Sequence, residues 1–143
     1  MSATITVQAS VNAPIEKVWA YWNQPQHIMQ WNHASDDWHC PNASNDVRRG
    51  GNFSYTMAAK DGSFSFDFAG VYEDVLINEL IMYRLADGRA VKISFASNGD
   101  ITEVVETFEG ETQHTPELQQ AGWQAILNNF KNYTETLITI KIK

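Results

Sequence analysis

Five side chains able to hold a metal or move a proton lie close together: His33, Asp36, Asp37, His39 and Cys40. Imidazole and thiolate suit zinc, but a structural site takes four ligands at regular spacing. The segment has no second Cys pair and would have to recruit His27 or His114 from elsewhere. A solvated polar segment is the simpler reading, and no metal is expected. Acid–base chemistry has Asp67, Glu73 and His114 as candidates. Paired acids and bases need to converge in a cleft with opposed environments, and alternation turns Asp67 away from the phenylalanines beside it. No nucleophile elbow or triad spacing is present, and no cofactor is expected. Arg48 and Arg49 suit a ligand carboxylate, or ion pairs with neighbouring strands, each exposed pair contributing at most about 1 kcal/mol.

The more distinctive chemistry is aromatic. The chain holds five Trp, five Tyr and seven Phe. Phe53, Tyr55, Phe66, Phe68 and Tyr72 form one wall, facing Trp123 and Ile126. Such rings either fill a core or line a pocket for an apolar ligand. Gln119 sharpens the question, because it falls within the apolar arc of the last helix and an unpaired buried amide costs about 1–3 kcal/mol. A hydrated cavity accommodates it, and so does fraying of the helix's first turn. Gly122 on the same arc fills space poorly. The expected cavity is on the order of several hundred Å3. It lies beside the first two helical turns and the third and fourth strands, capped by Trp31. Trp123, facing inward, is where truncation to alanine should cost about 3–5 kcal/mol.

These residues need a scaffold. With 143 residues, one domain over 1–143 is expected. A formal charge of −7 and no basic patch argue against nucleic acid. No apolar window reaches membrane-spanning length, Met1-Ser2-Ala3-Thr4 does not open a signal peptide, and the lone Cys40 points to a reducing, cytoplasmic setting.

Alternation of Ile5, Val7, Ala9 and Val11 predicts a strand over residues 3–11. Asn12-Ala13-Pro14 stops it and opens a short helix with Val18, Trp19 and Trp22 on its apolar face; Pro25 then starts a second, through Trp31. Residues 32–46 read as a long polar loop, mobile and placed to act as a lid. Strands resume at Val47-Arg48. Turns at Lys60-Asp61-Gly62-Ser63, Asp87-Gly88 and Asn98-Gly99-Asp100 predict an antiparallel meander. From Thr115 to Leu137 the apolar residues Leu118, Gly122, Trp123, Ile126, Leu127, Phe130, Tyr133 and Leu137 recur at helical spacing, with Thr115-Pro116 as cap. Gln120, Gln124, Asn128, Lys131 and Glu135 take the opposite, polar face. Residues 138–143 alternate Ile with Thr or Lys and read as an extended tail.

Strand, two short helices, curled meander and long helix together resemble the helix-grip fold of the START and birch-pollen-allergen superfamily. Ala13-Pro14-Ile15-Glu16-Lys17-Val18-Trp19 is similar to its first-helix motif. The run from Asp46 to Tyr55, then Asp61-Gly62-Ser63, then Asp67-Phe68-Ala69-Gly70-Val71-Tyr72, and finally Gly122-Trp123 with Tyr133 resemble one branch. That branch contains homologues of the ATPase activator of the ninety-kilodalton heat-shock chaperone, and the likeness runs to about Leu137. The resemblance implies an α+β helix-grip domain, with a curved antiparallel sheet of six to seven strands wrapped on a long C-terminal helix and two short helices after the first strand. It implies a role in binding a small apolar or amphipathic molecule, lipid-like or aromatic, between sheet and helix. Its alternatives are a protein-interaction domain acting on a chaperone, with a place in the stress response, and a small cyclase or dehydratase. The eukaryotic activator carries a further chaperone-binding domain ahead of this one, for which the chain leaves no room. Oligomeric state is not implied.

Overall fold

The structure is a computed structural model and describes residues 4–142; what was expected of Ala3 and Lys143 lies outside the described residues. Alternation of Ile5, Val7 and Val11 with polar residues produces β1 (Thr4–Val11), with its apolar side buried. Extended Pro14 leads into α1 (Ile15–Asn23). Pro25, lacking the N–H that α1 would need, begins α2 (Pro25–Trp31) instead.

A meander follows: β2 (Trp38–Asn45), β3 (Asn52–Ala59), β4 (Ser65–Leu76), β5 (Leu80–Leu85), β6 (Ala90–Asn98) and β7 (Ile101–Glu109). All pairings are antiparallel, in the order β1-β7-β6-β5-β4-β3-β2. Gly88 and Gly99 make the β5–β6 and β6–β7 turns at φ 93° and 66°, where a side chain is strained. Gly70 is needed for a different reason: a Cβ there would sit 2.4 Å from the Arg84 carbonyl oxygen and 2.9 Å from the Phe53 ring. The seven-stranded sheet, two short helices and final helix make a helix-grip fold.

β2 corrects the reading of residues 32–46 as a loop. It is an edge strand paired only with β3, so most of its side chains meet solvent and its sequence carries no apolar alternation. Pro41 falls at the irregularity between His39 and Asn42, where a missing N–H breaks no ladder. Trp38–Asn45 is therefore strand rather than loop. Val47-Arg48 lies in the β2–β3 connection instead of opening a strand.

The last helix, α3 (Pro116–Ile142), is capped as Thr115-Pro116 predicts, with the Leu118 N–H donating to Thr115 Oγ1 at 3.1 Å. It continues past Leu137, so residues 138–142 are helical rather than an extended tail. No Gly or Pro stops the helix there, and adding a residue to an existing helix needs no new nucleus. Thr139 Oγ1 donates back to the Glu135 carbonyl at 2.9 Å, and Leu137 and Ile138 pack on the core. The buried line also differs from the expected face. Leu118 is 59% exposed, whereas Thr134 is fully buried with Leu127 and Phe130.

The helix runs along β1, the other edge of the sheet. Gln120 Nε2 donates to the Thr6 carbonyl at 3.1 Å and Gln124 Nε2 to the Gln8 carbonyl at 3.0 Å. The Asn12 N–H donates to Glu135 Oε2 at 2.7 Å. The polar side of α3 thus partners backbone groups that an uncovered edge strand would leave open.

Candidate functional site

The two halves of α3 meet the sheet differently. Toward its C-terminal half the core is closed. Trp22 of α1 sits 4.8 Å from the Phe130 ring, 5.0 Å from Trp31 and 5.8 Å from Phe95, by centroids. Trp31 is held by an Nε1–H bond to the Tyr21 carbonyl at 3.0 Å. Toward the N-terminal half, Trp123 stacks on Phe108 at 3.8 Å and meets Phe68 edge-on at 5.9 Å. Between these clusters lies a cavity of about 170 Å3.

Of the residues chosen from the sequence, Trp31, Tyr55, Phe66, Phe68, Tyr72, Trp123 and Ile126 line this cavity. Phe66, 45% exposed, is the lining residue most open to solvent. Phe53, Gln119 and Gly122 do not line it. Phe53 is wedged over Gly70 behind the wall, its ring 5.1 Å from Tyr55, 5.3 Å from Tyr72 and 4.7 Å from Tyr83. Gln119 is buried, yet its partner is the loop before α3. It accepts the Glu111 N–H at 2.8 Å and donates to the Glu111 and His114 carbonyls at 3.1 and 2.9 Å. A Cβ on Gly122 would meet no atom within 4 Å. Gly122→Ala should therefore raise stability by about 0.5–1 kcal/mol through helix propensity alone, read as a higher urea midpoint. A lower midpoint would show that the glycine is required for packing.

Sequence reasoning missed Trp22, Asn32, Met57, Ile81, Tyr83, Ile93 and, above all, Glu106. Thr102, Val104, Glu106 and Phe108 are the buried positions of β7. Period two alone puts a glutamate on that face, and this signal was available. Thr102 is satisfied, donating from Oγ1 to the Ala13 carbonyl at 2.8 Å. Glu106, 5% exposed, has no hydrogen bond or ion pair among the described residues. Its cross-strand neighbours are Val7 and Ile93. Burial alone raises its carboxyl to about 8, so it is mostly protonated at neutral pH.

Three phenols share the wall. Tyr83 is pushed well above its ordinary value by burial and then by the Glu106 charge. Burial does the same to Tyr55, and its neighbour Tyr72 adds to the rise. Tyr72 is raised to about 12, again by burial, and donates to Asn45 Oδ1 at 2.5 Å. Asn45 Nδ2 in turn donates to the Asn23 carbonyl at 2.8 Å, tying β2 and β4 to the end of α1. The arrangement can hold an apolar molecule and offer it one acidic proton.

Elsewhere a broader, shallower groove between α2 and α3 is lined by Gln30, His33, Asn129, Asn132, Tyr133, Thr136 and Leu137. Among the described residues, no three or more of His, Cys, Asp and Glu gather as a metal site would require. Among the described residues, no helix is long and apolar enough to cross a membrane.

The structure is similar to the solution structure of an AHSA1-like protein from Aeromonas hydrophila, 47% identical over 94% of each chain, with a TM-score of 0.88. A protein from Cytophaga hutchinsonii is 57% identical over 95% of this chain and 94% of its own, at 0.81. A protein from Chromobacterium violaceum, 24% identical over 93% of this chain and 98% of its own, shares the fold at 0.82. Comparison with curated proteins finds no match. Residues 12–135 match the family described as Activator of Hsp90 ATPase homolog 1-like protein, so the stretch from the end of β1 well into α3 carries the family's pattern, and the chain belongs to that family.

Proposed function

We propose that the protein binds a small apolar or amphipathic molecule in the cavity between the sheet and α3. The observation that carries this reading is an unfilled space of about 170 Å3 whose walls are aromatic and aliphatic except for Glu106 and Asn32. Drug-sized ligands use roughly 300–1,000 Å3, so the natural ligand is smaller than these, or displaces a wall side chain on entering. Turnover is less well supported than binding. Glu106 can hold a proton, but its ionisable neighbours in the lining are phenols that keep theirs, so the opposed acid–base pair of a proton-transfer site is missing among the described residues.

The test uses 2-phenylethanol, a neutral ring with a short polar tail. It should bind with a dissociation constant of about 0.1–1 mM, a modest affinity per atom, and change the tryptophan fluorescence. Ile126→Trp, which fills the space from the helix side, should weaken binding by about tenfold or more while the variant still melts cooperatively. Equal binding by parent and variant, or none by the parent, overturns the cavity reading.

A second reading, docking on a chaperone, rests on an exposed ring cluster that shares Phe66 with the cavity. Phe64, 60% exposed, and Phe66 cluster with Trp38 at ring distances of 6.1 and 6.2 Å. Exposed rings so grouped suit an apolar partner. Phe64→Ser should abolish any such docking while leaving 2-phenylethanol binding intact; docking that survives the change removes this surface from the account.

A further inference from the structure

Glu106 occupies a position where a carboxyl is costly, and nothing among the described residues offsets it. A buried charge without a partner is strongly destabilising, and an apolar residue of similar volume would serve the sheet better. Among the described residues, none of the elements around it turns a cation into the cavity, and Arg89, whose charge reaches Tyr83, is paired with Asp87 at 2.8 Å. β1 and β6 offer Val7 and Ile93 directly opposite. β3, β4 and β5 offer Tyr55, Tyr72 and Tyr83, whose phenols stay neutral. From the helices come Trp22, Trp31, Asn32, Trp123 and Ile126. Among the described residues, no Lys, Arg or His lines the cavity.

Resting on the reading that the cavity takes a small ligand, we propose that its preferred ligand is a small organic cation, a primary or secondary amine on a compact apolar body, with its nitrogen against Glu106. An ammonium supplies the countercharge that the walls withhold. Indole and phenyl faces attract cations through their quadrupoles, the more so when water is excluded. The net charge of −7 favours the approach of cations over anions. The proton balance follows from basicity. At pH 7 the free protein holds a proton on Glu106, while an alkylamine keeps its own to about pH 10. On binding, the carboxyl proton passes to solvent, and a carboxylate–ammonium pair remains.

Titration calorimetry at pH 7 tests this with three probes sharing one ring: 2-phenylethylamine, 2-phenylethanol and 3-phenylpropanoate. Measurements in two buffers of different ionisation enthalpy count the protons released. The amine should bind about tenfold or more tightly than the alcohol, and the anion more weakly than either. Amine binding should release close to one proton, and alcohol binding none. In Glu106→Gln, a variant of the same shape, the amine-to-alcohol affinity ratio should fall to about one and proton release should vanish. Equal affinity for amine and alcohol, amine binding without proton release, or an amine preference that survives in the glutamine variant overturns the proposal. If the alcohol binds and the amine does not, the cavity reading stands and the cation falls. If neither binds, both fall.

Discussion

Glu106→Gln should raise stability by less than about 1 kcal/mol at pH 5 and by about 3–5 kcal/mol at pH 9. The carboxyl is raised by burial from the ordinary glutamate value of 4.5 to about 8. Below the lower value both folded and unfolded chains carry the proton, and the side chain imposes no pH-dependent cost. Between the two values only the folded chain keeps it. Because the unfolded chain then binds fewer protons, stability falls as pH rises, by about 1.4 kcal/mol per unit. Above about 8 the folded chain ionises as well and the full cost is present. Glutamine removes this titration and leaves the shape. The other shifted carboxyls, Asp61, Asp87 and Glu111, are displaced the other way and are common to both proteins, so they cancel in the difference. Urea midpoints across pH 5 to 9 provide the measurement. Parallel curves for parent and variant would mean that Glu106 reaches water in the folded state.

Phe130→Ala should cost about 3–5 kcal/mol, the range for removing a large ring from a closed core. Phe130 is fully buried, and its ring meets Trp22 at 4.8 Å and Trp31 at 5.0 Å. Truncation leaves a void that three helices would have to shift together to fill. Trp123→Ala should cost less, about 2 kcal/mol, below the 3–5 kcal/mol expected from the sequence. Its ring already borders empty space and is only half-buried, so fewer contacts are forfeited despite the stack on Phe108. Both values come from urea midpoints. A Trp123 loss exceeding that of Phe130 would place the tightly packed end of the core on the wrong half of α3.

The fold was legible wherever a residue's neighbours along the chain decide its state. Alternation set β1, β3 and β4; Asp-Gly and Asn-Gly set the last two hairpins; Thr115-Pro116 set the start of α3. Each is a local steric or hydrogen-bonding preference that operates before any distant contact forms. β2 escaped because an edge strand buries little, and its pairing depends on β3 being present as a template. The end of α3 escaped because β-branched residues favour strands only when a strand partner is at hand; here they extend a helix already formed and packed.

The site divides along the same line. That rings from the third and fourth strands would face rings from the last helix was contained in the periodicities. Which rings enclose space and which lie behind them was decided by Gly70, which lets Phe53 sink beneath Tyr55, Tyr72 and Tyr83. Gln119 was correctly placed as buried, but its partner is a loop that only the tertiary structure brings over the helix. For Glu106 the sequence determined the face, since it shares the parity of Thr102, Val104 and Phe108. Only the tertiary structure decided its environment. Val7 lies 99 residues before it in the chain and Ile93 thirteen, and both happen to be apolar. That no cation among the described residues lines the cavity depends on every wall at once, so no window of sequence contains it.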